Sequence, residues 1–482
     1  MPRIASKPGF ASSGGELGRV MNIRVLVAGS KTGIESPSER HYYNDTAGSS
    51  GSLDCSAKQN TYQSPKEDIE YGAFAAITIR NQPILPLKKQ GTRRTTKPIY
   101  GSSTTSSSIM ATTEIKPTLD LSLEADVRVY LAKTPFASTD VQPLSGGTGN
   151  YVFRLRLDAP YEGRRTVVLK HAKPFVKDLP ELAFELSRQK YEVEALRRVR
   201  GWLPADSLVT VPEVHLFDED AHVIIMDDAG EDAISLKSYI QQGHATLASA
   251  KKIGAAVGAF LGGMHKWGKG NKELCAAVAG NSQAKAMSAW VFYGRLLPTL
   301  SGDSGVPKLM DPPLVAAAED LEVIKGLVEE TTAALLAVDD QFVMGDFWPG
   351  NMMLRIDGQG EVEGISVLDW ELTKTGLSGL DIGQFCAEMH LLRRSQPEVC
   401  GSTATGVLEE FLKEYKRTCE PGEEVARRTV VQWGVHMAVL GARVDWGDKE
   451  ASRRLVLEGV RIVVDGVQSR SLGENGHVGG LL

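Results

Sequence analysis

The amino-acid sequence predicts an α+β chain of two lobes, a small β-rich N-terminal lobe followed by a larger, mainly helical C-terminal lobe. Three observations carry this prediction. Short alternating or β-branched runs cluster before residue 230, around one long stretch free of Gly and Pro. Segments with apolar residues at helical intervals dominate after residue 230. A pair of short strands interrupts those helices once, around residues 341–369.

Taken in order, residues 1–118 mix Gly, Ser, Thr, Lys and Arg without a sustained period and end in the run Ser102-Ser103-Thr104-Thr105-Ser106-Ser107-Ser108. Such composition predicts a disordered extension. The N-terminal lobe is expected over residues 119–229. Val152 to Leu157 alternates with period 2, and Thr166 to Lys170 is a β-branched run, so both predict strands, joined by a turn at Pro160-Tyr161-Glu162-Gly163. Glu181 to Val199 predicts a helix. Val214 to Phe217 and Val223 to Met226 predict two more strands across the acidic turn Asp218-Glu219-Asp220. The helical lobe is expected over 230–466, with helices near 246–267, 314–337, 380–393, 405–418 and 424–443, and a flexible tail over 467–482.

Composition narrows the function. The 482 residues are 42% hydrophobic with a formal net charge of -6. Residues 1–118 carry 15 Lys+Arg against 9 Asp+Glu, and the remainder 39 against 51. So acidic a body gains little from phosphate counterion release, which argues against nucleic acid as a partner. Five widely spaced cysteines without CxxC predict reduced thiols. No apolar run approaches the ~18–20 residues of a membrane helix, so a soluble, cytoplasmic protein is expected.

The strongest chemical signal is Met344-Gly345-Asp346-Phe347-Trp348-Pro349-Gly350-Asn351, followed by the strand Gly364-Ile365-Ser366-Val367-Leu368 and then Asp369-Trp370-Glu371. Phosphoryl transfer from ATP needs a carboxylate that positions the attacking hydroxyl and oxygen ligands for Mg²⁺. Asp346 and Asn351 stand at Asp-x4-Asn spacing, and Asp369 ends a strand. Singly, each would be a cap or turn residue; together they point to catalysis. Upstream, the small residues Gly146, Gly147, Thr148, Gly149 and Asn150 lie between strands, where backbone N–H groups could approach phosphate oxygens.

These residues resemble the "HGDxxxxN … IDWE … DIG" signature of the aminoglycoside phosphotransferase and choline kinase superfamily, continued by Gly376 to Gly383. The resemblance spans residues 125–465, and Gly146 to Leu155 and Gly376 to Phe385 look most like methylthioribose kinases. It implies a protein-kinase-like two-lobe fold and an ATP-dependent kinase acting on a hydroxyl of a small molecule, with methylthioribose kinase the leading specific form. On that resemblance Asp346 is the catalytic base, and Asn351 and Asp369 bind Mg²⁺. Lys170 resembles the lysine that contacts the α- and β-phosphates, with Glu192 as its partner and Glu194 as the fallback. Met226, Asp227 and Asp228 resemble the hinge whose backbone holds adenine. His265 and Asp381 match positions that predict packing and helix capping. One departure stands out: the family's His before Gly-Asp is Met344, which motivates a nucleotide-binding pseudokinase with a scaffold role as the alternative. A protein Ser/Thr kinase is disfavoured, because too few residues separate Asp369 from Asp381 to hold an activation segment.

Overall fold

The computed structural model describes residues 119–145, 147–302 and 304–468. The expected disordered extension, the glycine-rich Gly146 and residues 469–482 lie outside the described residues.

In the first lobe, α1 (Glu124–Leu131) precedes β1 (Asp140–Pro143), β2 (Tyr151–Tyr161), β3 (Arg164–His171), β4 (Phe175–Val176) and β5 (Leu179–Ala183). Helix α2 (Arg188–Trp202), β6 (Val209–Thr210), β7 (Val214–Asp218) and β8 (Val223–Asp227) follow. The main sheet has the order β1-β2-β3-β8-β7, and every pairing in it is antiparallel. Alternation sorts its two faces. Phe153, Leu155, Val167, Leu169, Val223 and Ile225 pack with Val127 and Leu131 of α1, while Ile224 and Met226 join Val193 and Leu196 of α2. Strand β8 is therefore apolar on both faces, which explains its unbroken Val-Ile-Ile-Met run.

The helix expected from Glu181 begins later, at Arg188. Residues 179–183 instead form β5, paired with β4. This hairpin has its own small core of Val176, Leu182 and Phe184. It also binds the glycine-rich turn: Asp178 N donates to Thr148 O at 3.1 Å, and Lys177 Nζ to Gly147 O at 3.1 Å. These non-local bonds override the local helical pattern.

The second lobe begins with β9 (Ile234–Ser235), α3 (Leu236–Gln241) and α4 (Leu247–Gly268). It continues through α5 (Lys272–Val278), α6 (Ser282–Ser288), α7 (Arg295–Leu300), α8 (Pro307–Met310) and α9 (Ala318–Ala337). Strand β10 (Phe342–Val343) leads to the β-hairpin β11 (Met352–Ile356) and β12 (Val362–Val367), and then β13 (Lys374–Thr375). Helices α10 (Ser378–Ser395), α11 (Pro397–Cys419), α12 (Glu423–Leu440) and α13 (Lys449–Gln468) close the lobe. Of the expected helices, 405–418 is the later part of α11, which starts at Pro397, where the missing N–H costs nothing. Helix α13 runs to Gln468 and has no counterpart among the sequence expectations.

Helix α4 packs on α11 through Gly254, Gly258 and Gly262, spaced by four. A Cβ at Gly254 or Gly258 would overlap the carbonyl oxygens of Val407 and Phe411, so the backbones touch directly. This contact fixes the floor on which the loop after β10 rests. No helix among the described residues is long and apolar enough to cross a membrane.

Candidate active site

Strand β10 pairs antiparallel with β13, and the chain leaves it through Gly345 at φ 85°. A Cβ there would overlap Leu372 O and Lys374 Nζ, so only Gly fits this turn. The next residue is Asp346. Asp381, in the first turn of α10, accepts from Met344 N and Gly345 N at 2.9 Å each, and His265 Nε2 lies 3.3 Å from the same carboxylate. The expected capping role of Asp381 is thus corrected: its partners are the amides of the loop, 36 and 37 residues upstream. His265 is buried, with Nδ1 2.9 Å from the Tyr415 hydroxyl, and props Asp381 from behind. Met344 itself is buried in the main core.

Both carboxylate oxygens of Asp346 accept amide hydrogens. Gln384 Nε2 donates to Oδ1 at 2.7 Å, and Asn351 Nδ2 donates to Oδ2 at 3.1 Å. Burial, and then the nearby charge of Asp369, push the Asp346 carboxyl up to about 7, while the two amide bonds pull the other way. A carboxylate with that pKa is matched to taking a proton near neutral pH.

Asn351 O accepts from Leu368 N at 2.8 Å, which brings Asn351 beside the end of β12. There Asp369 adopts the left-handed conformation at φ 62°, which Asp tolerates better than most residues. Its Oδ1 receives Lys170 Nζ at 2.6 Å, and the same ammonium reaches Glu192 Oε1 at 2.7 Å. Lys170 lies on β3, flanked by β2 and β8 in the middle of the sheet, so it is no edge lysine. Burial works against its charge, but Asp369 and Glu192 outweigh it and hold its pKa above the ordinary value. Glu192 is raised by its burial. Glu194, the fallback, faces solvent and pairs with Arg198.

The glycine-rich turn is tied to Glu371. Asn150 is buried, and its Nδ2 donates to Glu371 Oε2 at 2.8 Å. Arg188 Nε donates to the same oxygen at 3.0 Å, and its guanidinium also reaches Asn150 Oδ1 at 2.9 Å. A Cβ at Gly149 would sit 2.8 Å from Glu371 Oε1, whereas one at Gly147 would meet nothing within 4 Å. The Asn150 side chain therefore ties the turn to Glu371, and the Gly147 and Thr148 carbonyls are taken up by Lys177 and the Asp178 amide. At the end of β8, Met226 is buried, Asp227 accepts from Arg164 Nε at 2.8 Å, and Asp228 accepts from Arg154 Nε at 2.6 Å. With these side chains engaged, only backbone could contact a base there.

A divalent cation fits the donor set. Asn351 donates through Nδ2, which leaves its Oδ1, and Asp369, Glu371 and Glu192 bring carboxylate oxygens within 4.8 Å of one another. These are the hard oxygen donors that Mg²⁺ prefers. Lys170 is shared by Asp369 and Glu192, and Arg188 is paired with Glu371, so three carboxylates face two fixed cations and one negative charge is left for a further cation to meet.

Sequence reasoning missed Gln384, Arg188 and the true partners of Asp381. Helical spacing held part of the signal: Gln384 is three residues past Asp381, and Arg188 is four before Glu192, each pair on one helix face.

A model of the phosphotransferase enzyme family matches residues 140–425. A 4-hydroxytryptamine kinase of Psilocybe cubensis is 28% identical over 372 residues, covering 74% of this chain and 96% of the relative. The phosphotransferase FrzJ of Cladobotryum sp is 25% identical over 339 residues, covering 64% of this chain and 82% of the relative. Among solved structures, the choline kinase LicA from Streptococcus pneumoniae superposes with a TM-score of 0.40 at 15% identity, covering 71% of this chain and 99% of its own. The methylthioribose kinase resemblance finds no support among these relatives.

Proposed function

The chain belongs to the phosphotransferase enzyme family, and we propose that it transfers the γ-phosphoryl group of ATP to a hydroxyl of a small molecule with Asp346 as the base. The observation that carries the reading is the convergence of Asp346, held by Gln384 and Asn351, with an Asp369–Lys170–Glu192 chain of ion pairs. The acceptor oxygen attacks the γ-phosphorus, the bond to the β,γ-bridging oxygen breaks, the acceptor proton passes to Asp346, and ADP leaves. Asn351 and Asp369 would hold Mg²⁺, which supplies charge stabilisation for the phosphates. Lys170, oriented by Glu192, adds a fixed positive charge for phosphate oxygens. Gly147 and Thr148 offer backbone N–H groups, and Met226 to Asp228 offer backbone to the base. Precise placement, more than bond-making by the protein, carries catalysis of this kind.

For the acceptor, the names of the relatives favour a hydroxylated arylalkylamine such as 4-hydroxytryptamine over the methylthioribose suggested by sequence resemblance. The test is ADP release with Mg-ATP across hydroxytryptamines, choline, ethanolamine, aminoglycosides and methylthioribose. Acceptor-dependent turnover supports the reading. ATP binding without turnover on any acceptor refutes it in favour of a nucleotide-binding scaffold.

A further inference from the structure

Two lysines are buried among the described residues, Lys170 of β3 and Lys374 of β13. Lys170 has carboxylates at 2.6 and 2.7 Å. Lys374 is 2% exposed, makes no ion pair among the described residues, and has Leu372 O, at 3.0 Å, as its one acceptor there. An ammonium carries three N–H donors, so two are left over. Lysine is almost never fully buried unless paired, because taking its charge out of water costs stability. Burial pulls the Lys374 pKa down to about 8, against the opposing pull of the Asp381 and Asp346 carboxylates. A charge kept at such a cost is characteristic of a functional site.

The place of this ammonium gives it a use. Lys374 pairs with Val343 of β10, two residues before Gly345. Its Nζ lies so close to Gly345 that a Cβ there would overlap it. Its acceptor Leu372 follows Glu371 in the segment that begins with Asp369. That segment is pinned from two sides. Asn281 Nδ2 donates to Glu371 O at 3.1 Å and to Thr373 O at 2.8 Å, and the Thr373 hydroxyl donates to Val343 O at 3.0 Å. Lys374 thus stands at the joint between the loop that carries Asp346 and the segment that carries Asp369. A cavity of about 10 Å³, the size of one water, adjoins it and is lined by Gly345, Asp381 and Gln384 among others. Asp381 holds the amides of Met344 and Gly345, and Gln384 holds Asp346 itself. One small space therefore joins the ammonium to both side chains that fix Asp346.

We propose that Lys374 is a positioning residue for phosphoryl transfer, a buried positive charge that holds the Asp346 loop against the Asp369 segment through Asp381, Gln384 and Leu372 O. The inference rests on the reading of Asp346 as the base. The ammonium itself touches no reacting atom. Its charge attracts Asp381 and Asp346, and its spare donors suit a water shared with Asp381 and Gln384. Without it, the negative charges of Asp346, Asp381 and Asp369 are less balanced, and Asp346 moves from its place beside the acceptor hydroxyl. A misplacement of about 1 Å costs about 10²-fold in rate. Lys170, the glycine-rich turn and the end of β8 belong to the first lobe, so nucleotide affinity should hold.

The test measures kcat, acceptor KM and the Kd of a non-hydrolysable ATP analogue with Mg²⁺. The acceptor is 4-hydroxytryptamine, then the others of the panel above in turn until ADP release is seen. The wild type, Lys374→Met, Lys374→Gln, Asp381→Ala and the double variant Lys374→Met/Asp381→Ala are compared. Met keeps the bulk and removes the charge, while Gln keeps a donor for Leu372 O and covers the case in which Met does not fold. Both should lower kcat about 10²-fold and leave acceptor KM and analogue Kd within about twofold. Because Lys374 acts through Asp381, the double variant should lose no more than about threefold beyond Asp381→Ala. Fully multiplicative losses in the double variant overturn the proposal, as does loss of analogue binding in both lysine variants, which makes the lysine structural. Turnover by the wild type with kcat within about threefold of it in both lysine variants sinks the positioning role alone. Absence of ADP release by the wild type on every acceptor sinks the parent reading with it.

Discussion

Replacing Arg188 with Met isolates the latch that closes the glycine-rich turn. The side chain is 1% exposed, and its guanidinium serves Glu371 at 3.0 Å, Asn150 at 2.9 Å, and the carbonyls of Phe184 and Glu185 at 2.9 and 3.0 Å. It also stacks 3.9 Å above the Phe184 ring. Met keeps the length and apolar bulk and deletes every donor. Glu371, 7% exposed, is left with Asn150 as its remaining partner in the latch. Breaking a buried pair by removing one member costs about 3–5 kcal/mol. For a folded unit of this size the unfolding entropy converts about 4 kcal/mol into a Tm loss of about 5 °C. The freed turn should also raise the KM for ATP. Differential scanning calorimetry of Arg188→Met, Glu371→Gln and the double variant gives the coupling, expected at about 1–3 kcal/mol. A Tm within 1 °C of wild type together with an unchanged KM for ATP would refute the latch, as would strict additivity.

Other consequences follow from the same geometry. Gly345→Ala drives a Cβ into Leu372 O and Lys374 Nζ, so kcat should fall about 10²-fold or more through misplacement of Asp346; wild-type kcat would contradict it. Asp381→Ala releases the amides of Met344 and Gly345 and should also lower kcat about 10²-fold while the nucleotide Kd, measured by titration, holds. For His171, burial and then the charge of Lys173 lower the folded pKa to about 4, below the unfolded value of about 6.5. Its contribution is therefore complete above pH 6.5 and lost as the pH falls toward 4, by about 2 kcal/mol between pH 7 and pH 5. Denaturant midpoints at those two pH values should show this loss in wild type and a smaller one in His171→Gln.

What could be read from the chain alone was local. A period-2 run marked β2, β-branched or apolar runs marked β3, β7 and β8, and the Asp-x4-Asn spacing marked the loop that carries Asp346, because all are set by neighbours along the chain. Lys170 and Glu192 were legible through the family resemblance, which left Glu194 as the fallback, and the 2.7 Å ion pair with Lys170 selects Glu192. Hidden features depended on distant partners. The hairpin of β4 and β5 forms because Thr148 and Gly147 accept its hydrogen bonds, against a local helical pattern. Asp381 resembles a cap until the loop 36 residues earlier folds onto it. Lys237 of α3 meets Trp348 of the loop after β10, Glu388 of α10 and Trp446 of the segment after α12, a set no local pattern could assemble. The Gly254, Gly258, Gly262 spacing was present in the sequence and would have indicated the close contact of α4 with another helix.

The most direct test of the central claim is single-turnover phosphoryl transfer by Asp346→Ala beside the wild type, with ATP affinity measured on both. General-base assistance is worth about 10²–10⁴-fold, so transfer should slow by that factor while the Kd for Mg-ATP stays within about twofold. Transfer within tenfold of the wild-type rate would contradict the assignment of Asp346 as the base.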